Sequence, residues 1–147
     1  MRVVAAGAAR VDRPGYVWIA VALEIFTAIG AIPVGLMFLA DPTGASIQMQ
    51  PGWIEGTVFK SYLVPGLYLL FVNGFGMLLL AALTVRRHPI APWLTGALGV
   101  GMIVWILVEI LVLPATMILT WVFLATGFGL GFVALFWLRR TGQLRLW

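Results

Sequence analysis

Four long apolar runs make up most of this chain, and short polar stretches separate them. The runs cover about 16–40, 63–85, 91–113 and 115–138. Each has roughly the twenty residues that an α-helix needs to cross the hydrocarbon core of a bilayer. The pattern therefore predicts an all-α polytopic membrane protein, with a single domain over 1–147 built as a bundle of four transmembrane helices.

The longest connection, 41–62, joins the first two spans and opens with the turn sequence Asp41-Pro42-Thr43-Gly44. A connection of this length without structure is uncommon, and apolar residues such as Trp53 and Ile54 need cover from water. Pro51 ahead of Gly52 and Trp53 is typical of a helix start. We therefore expect a short interfacial helix or an ordered loop, the alternative being a disordered loop anchored by one tryptophan.

The arginines predict the orientation of the bundle. All eight flank the apolar runs: Arg2, Arg10 and Arg13 before the first, Arg86 and Arg87 between the second and third, and Arg139, Arg140 and Arg145 after the fourth. Four spans place these stretches on one side, which the positive-inside rule assigns to the cytoplasm. We therefore expect a cell-membrane protein with cytoplasmic N- and C-termini, whose arginines attract anionic lipid headgroups.

Composition removes several classes of function. Hydrophobic residues make up 63% of the chain and charged residues 10%, against roughly 45–50% and 25% in soluble domains, so a soluble fold is excluded. The basic residues border the apolar runs, which favours lipid over nucleic acid as their partner. There is no cysteine, and His88 is the only histidine, so the sequence predicts no disulfide, no metal site and no cofactor.

Two carboxyl groups lie well inside the apolar runs, Glu24 in the first and Glu109 in the third. Ionisable residues in a membrane are costly, so each is a functional candidate. At 1.5 Å per residue, Glu24 lies about 12 Å from the cytoplasmic boundary and Glu109 about 6 Å from the opposite one. Paired-carboxylate catalysis is therefore disfavoured, because it needs both groups within several ångström.

Each glutamate has a predicted partner at its own depth. Asn73, in the second span, is the expected hydrogen-bond partner of Glu24, and together they form a candidate intramembrane polar site. Lys60 and Trp105 are expected to join Glu109 in a cluster at the outer mouth, since Trp105 precedes Glu109 by one helical turn. In both places the alternative to function is a polar contact that fixes helix register.

Three hypotheses for function follow. In the first, the protein is non-enzymatic and acts by association, as an oligomer or as an accessory subunit of a membrane complex. Small-residue stripes such as Thr27, Ala31 and Gly35 support it. In the second, it is a small transporter or channel in which Glu24, with Asn73, binds a proton or a cation. An integral membrane enzyme acting on lipid or quinone is least favoured, because no nucleophile and base or metal constellation is present.

The segment Asp41-Pro42-Thr43-Gly44, followed by Phe59, Tyr62 and Pro65-Gly66-Leu67, resembles a group of small bacterial four-span proteins known as hypothetical membrane proteins. The chain is more distantly similar to the four-helix DoxX-like group. The resemblance covers the first two spans and their loop, and extends to Trp105-Ile106 in the third. It implies a four-helix architecture and supplies no catalytic residues, and the thiol chemistry linked to DoxX-like proteins has no cysteine to use here.

Overall fold

The computed structural model describes residues 14–113 and 117–143. Within them there is no β-strand, and four helices are long and apolar enough to cross a membrane: α1 Gly15–Ala40, α2 Leu63–Val85, α3 Ala91–Val112 and α4 Ile118–Arg140. The predicted all-α bundle is therefore confirmed, with bounds within a few residues of those expected. The predicted start of the fourth span at 115 lies outside the described residues.

The four helices form two tight hairpins. α1 packs along α2 and α3 along α4, whereas fewer contacts join the two pairs. Glycines make the closest approaches possible: a Cβ at Gly35 would lie 2.8 Å from the backbone nitrogen of Leu70, and one at Gly99 would lie 3.0 Å from the carbonyl oxygen of Gly127. The two hairpins pack against each other less closely than the helices within each hairpin do. Space is therefore left between the hairpins.

The middle of α2 is a π-helix over Leu69–Gly76, which the sequence analysis did not predict. In this wider turn the carbonyl five residues earlier comes close to the Cβ position. A Cβ at Gly74 would lie 3.2 Å from the Leu69 oxygen, and one at Gly76 would lie 3.1 Å from the Phe71 oxygen. Glycine removes that conflict. Such π-turns within α-helices are frequent at functional sites, and this one carries Asn73.

The two ends of the bundle differ in chemistry. The arginine end is formed by the start of α1, the Arg86-Arg87 turn and the end of α4 at Arg140. Its core includes the buried side chains of Leu80 and Trp137. The loop end holds the connection 41–62, whose apolar side chains pack into a second cluster.

The connection 41–62 is ordered, as expected, although its helical content is limited to two short 3₁₀ turns, Ala45–Ile47 and Pro51–Trp53. Tyr62 anchors it: its backbone N–H donates to the Pro42 oxygen at 2.9 Å and its hydroxyl donates to the Gln50 oxygen at 2.9 Å. The Tyr62 ring also stacks on Phe38 with centroids 5.0 Å apart. The loop therefore covers the end of α1.

Candidate functional site

A cavity of about 300 Å³ lies at the loop end, between the two hairpins. All four helices and the connecting loop contribute to its walls, which are mostly apolar. The lining comprises Thr27, Gly30, Ala31, Val34, Phe38, Ile47, Met49, Trp53, Ile54, Phe59, Tyr62, Pro65, Leu69, Asn73, Met102, Trp105, Ile106, Val108, Glu109, Val112, Leu113, Met117, Leu119, Thr120 and Phe123. Its volume is at the lower end of the range for small-molecule sites.

Two polar atoms on the cavity wall lack a partner. The Oδ1 of Asn73 and the Nε1 of Trp105 are both buried, and neither makes a hydrogen bond. The Trp105 ring is held in place, because it stacks on Tyr68 with centroids 4.5 Å apart and meets the Phe59 ring edge-on at 6.4 Å. Buried polar atoms are nearly always hydrogen-bonded, so this unpaired acceptor and donor need an explanation.

Glu109 lies on the same wall, but the structure pairs it with Thr120 and not with Lys60. The Thr120 hydroxyl donates to Oε1 of Glu109 at 2.9 Å. Lys60 is exposed, does not line the cavity and forms no ion pair with Glu109. Of the predicted outer-mouth cluster, Trp105 and Glu109 therefore share a cavity wall, whereas Lys60 stands apart in the loop. Thr120, near the start of α4, was missed because the sequence analysis looked for partners of Glu109 in the loop and in α3 and did not consider α4.

Glu24 is fully buried, and its hydrogen bonds differ from the predicted one with Asn73. Its Oε1 accepts from the Thr95 hydroxyl at 2.9 Å and from the Thr84 hydroxyl at 3.2 Å. Asn73 precedes Thr84 by eleven residues on α2, roughly 16 Å along an α-helix. The two members of the predicted site therefore lie at different depths, with Asn73 on the cavity wall and Glu24 nearer the arginine end.

The register of α1 against α2 explains the difference. A Cβ at Gly74, the residue after Asn73, would lie 2.7 Å from Cγ1 of Ile32, whereas Glu24 lies eight residues, about 12 Å, nearer the arginine end of α1. Thr84, at the end of α2, and Thr95, near the start of α3, are the hydroxyls at that level. The depth counted along each span missed both, although threonines near the boundary of each span were a signal that could have been used.

A second cavity, of about 260 Å³, lies at the arginine end. Its lining is more polar and consists of Pro14, Tyr16, Val17, Arg87, His88, Pro89, Pro92, Trp137, Thr141 and Gln143. Glu24 lines neither this cavity nor the one at the loop end. Buried apolar side chains, including Met77 and Leu130, pack in the core between them.

Outside the spans, two ionisable groups of the loop have shifted pKa values. The Thr43 hydroxyl and the Ser46 backbone N–H donate to the carboxylate of Asp41 and lower its pKa. Burial raises the pKa of the Tyr62 phenol. Over 14–113 and 117–143, no three His, Cys, Asp or Glu side chains come together as a metal site. Hydrogen bonds such as those to Asp41 therefore hold this loop in its conformation.

No protein-family model, curated protein or solved structure matches the chain. The resemblance to small four-span proteins therefore stays an expectation. The fold and hydropathy themselves define the class: an integral membrane protein with four helices able to span the bilayer in the part that the structure describes.

Proposed function

We propose that this protein binds a small, mostly apolar molecule with one polar end in the loop-end cavity. The observation that carries the proposal is the pair of unpartnered polar atoms, Asn73 Oδ1 and Trp105 Nε1, on a mostly apolar wall. An apolar pocket with a few convergent polar groups is the usual form of a small-molecule site. The two atoms would fix the orientation of the ligand while the apolar walls supply affinity.

The chemistry of the two atoms restricts the ligand. The indole N–H of Trp105 only donates, and the amide oxygen of Asn73 only accepts, so a hydroxyl group can satisfy both. Glu109 also lines the cavity, and its Oε1 already accepts from the Thr120 hydroxyl. A cationic ligand is disfavoured because it would offer no acceptor to Trp105. We therefore infer a neutral lipophile, such as a fatty or isoprenoid alcohol, drawn from the surrounding bilayer.

Native mass spectrometry with decanol as the probe tests this proposal. The purified wild-type chain should retain one decanol molecule, whereas Asn73→Leu and Trp105→Phe should each weaken binding about tenfold, the equivalent of one hydrogen bond of about 1.4 kcal/mol. Trp105→Phe keeps an aromatic ring against Tyr68 and removes the donor. Thr126→Val is the matched control, because Thr126 is buried away from the cavity and bonds only to Val122 of its own helix.

Two outcomes would contradict the proposal. One is the absence of any saturable decanol adduct on the folded wild-type chain. The other is equal binding by the wild type, Asn73→Leu and Trp105→Phe, which would show that the polar atoms have no part in recognition. Circular dichroism and gel filtration of each variant establish that the bundle is intact before binding is compared.

The association hypothesis loses much of its support from the small-residue stripes. Gly35, the last residue of the stripe that begins at Thr27, packs against the backbone of α2 in the same chain. Gly127 likewise packs against Gly99 and Ile103 of α3. These glycines pack the two helices of each hairpin against each other, so they are not available to contact a second chain. Action as an oligomer or accessory subunit stays a hypothesis.

We infer, as the sequence suggested, that the arginine end faces the cytoplasm and anionic lipid headgroups. Arg86, Arg139 and Arg140 are exposed at this one end of the bundle. The guanidinium of Arg140 lies 5.0 Å from the centroid of the Phe136 ring, which directs its charge along the helix end. Such a ring of basic side chains suits a negatively charged leaflet.

A further inference from the structure

The carboxyl of Glu24 connects three helices in the interior of the bundle. Glu24 belongs to α1, Thr84 to α2 and Thr95 to α3, and the two hydroxyl oxygens lie 3.2 and 2.9 Å from the same carboxyl oxygen. All three side chains have no exposed surface. The second carboxyl oxygen, Oε2, is buried and has no hydrogen-bond partner. The site therefore holds an ionisable group with incomplete hydrogen bonding.

The hydroxyl of Thr95 lies within hydrogen-bond distance of two oxygen atoms. Its oxygen lies 2.9 Å from Oε1 of Glu24 and 3.0 Å from the carbonyl oxygen of Ala91. A hydroxyl has one hydrogen and can donate to only one of these acceptors. If it donates to Ala91, the hydrogen in the contact with Glu24 must belong to the carboxyl group. A carboxylic acid at Glu24 thus satisfies both contacts, with Thr84 donating to the same Oε1.

The position of this site relative to the two cavities suggests its role. On α1, Thr27 lines the loop-end cavity and follows Glu24 by three residues, about 4.5 Å along the helix. On α3, Pro92 lines the arginine-end cavity and precedes Thr95 by three residues, again about 4.5 Å. Glu24 therefore lies between two spaces that approach it from opposite ends of the bundle.

No other ionisable side chain shares the level of Glu24. The titratable group of α2 is Tyr68 and that of α3 is Glu109. Both lie in the loop-end half of the bundle. The ionisable groups of α4 are Arg139 and Arg140 at its end. Tyr16, in the first turn of α1, lines the arginine-end cavity. Glu24 is thus the sole titratable group between the two cavities in the described residues.

We propose that Glu24 carries an exchangeable proton and transfers it between the loop-end and arginine-end cavities. In the transfer, the O–H bond of the carboxylic acid breaks and its proton passes to a water molecule that has entered one cavity. The hydroxyls of Thr84 and Thr95 then both donate to the carboxylate and stabilise it. Return of a proton from water in the other cavity restores the acid. The route passes through the same loop-end cavity as the proposed lipophile, but it does not require a lipophile to bind there.

Proton flux into liposomes that contain the purified chain and a trapped pH-sensitive dye tests the proposal. With a potassium gradient and valinomycin to set the potential, the wild type should acidify the lumen. Glu24→Gln should reduce the flux to that of protein-free liposomes, because the amide keeps the shape and cannot release a proton. Thr95→Val should reduce it in part, whereas Thr126→Val, which removes a comparable buried hydroxyl, should leave it unchanged.

Infrared difference spectroscopy provides a second readout that does not depend on flux. The spectrum of the wild type minus that of Glu24→Gln should contain the carbonyl stretch of a protonated carboxylic acid, and this band should shift in D₂O. If Glu24→Gln does not fold, the fluxes of Thr84→Val and Thr95→Val against Thr126→Val decide the question.

The proposal is overturned by a folded Glu24→Gln protein with wild-type flux, or by the absence of flux in the wild type. A carboxylate band in place of the acid band would also overturn it. So would flux that requires sodium, since that would make Glu24 a cation site, and so would equal loss of flux in Thr95→Val and Thr126→Val. Failure of decanol binding would leave this proposal standing, and the two proposals can therefore be judged separately.

Discussion

Replacing Asn73 by leucine should stabilise the ligand-free protein, although it removes a polar group from the interior. Asn73 is 3% exposed and its Oδ1 has no hydrogen-bond partner. A buried acceptor without a partner costs about 1–3 kcal/mol. Leucine is similar in size, has no polar atom and extends toward an apolar cavity. We therefore expect the free energy of unfolding to rise by about 1–3 kcal/mol while decanol binding weakens about tenfold.

Thr95→Val provides a comparison of opposite sign. The Thr95 hydroxyl contacts Glu24, so its removal leaves a buried carboxyl with one partner fewer and should lower the free energy of unfolding by about 1–3 kcal/mol. Thr126→Val should be nearly neutral, because its hydroxyl only bonds back to the carbonyl of Val122. The sign of each change thus depends on whether the polar group has a partner outside its own helix.

Equilibrium unfolding in mixed micelles with increasing dodecyl sulfate, followed by circular dichroism, measures these differences. Lipid must be removed first, since a bound ligand stabilises only the state that binds it. Addition of decanol should then stabilise the wild type more than Asn73→Leu, by up to about 1.4 kcal/mol at saturating decanol. A ligand-free Asn73→Leu protein less stable than the wild type by 1 kcal/mol or more would refute the reasoning, because it would mean that Asn73 has a structural partner.

Three further predictions concern the packing, the topology and the loop. Gly35→Ala should destabilise the bundle by about 1–3 kcal/mol by separating α1 from α2, whereas Gly131→Ala, whose Cβ meets nothing within 4 Å, should be neutral or stabilising; equal effects in the same unfolding assay would contradict the packing. A cysteine at position 88 should resist impermeant maleimide added to intact cells, and labelling there would reverse the orientation. Asp41 has a lowered pKa in the folded loop, so its stabilisation is complete above the usual aspartate range and is lost as the pH falls through the folded value. The protection factor of the Ser46 amide, corrected for intrinsic exchange at each pH, should fall over that acidic window, and Asp41→Asn should remove the dependence.

The sequence by itself determined the class and the architecture. Runs of about twenty apolar residues leave a helix as the way to satisfy the backbone in a bilayer, so four spans could be placed without knowledge of their contacts. The order of the loop was also predictable, since Trp53 and Ile54 need cover from water. The structure agrees on both, and Ile54 is buried in the cluster with Phe38 and Tyr62.

The partners of the buried polar groups were decided by the tertiary structure. Depth counted along the chain paired Glu24 with Asn73 and Glu109 with Lys60, but a hydrogen bond also depends on helix rotation and on the direction of the side chain. The packing of α2 and α3 against α1 brings Thr84 and Thr95, and not Asn73, to the level of Glu24.

The cavity also had no sequence signal, because it depends on how two hairpins meet. Glycines bring α1 onto α2 and α3 onto α4, and the looser seam between the pairs leaves the space that Asn73 and Trp105 face. The apolar character of a span shows that it belongs in the membrane. It does not show which face of the helix packs inside the protein, because lipid and the protein interior select the same residues. Which faces turn inward was therefore fixed by close packing and by the few polar atoms that needed partners.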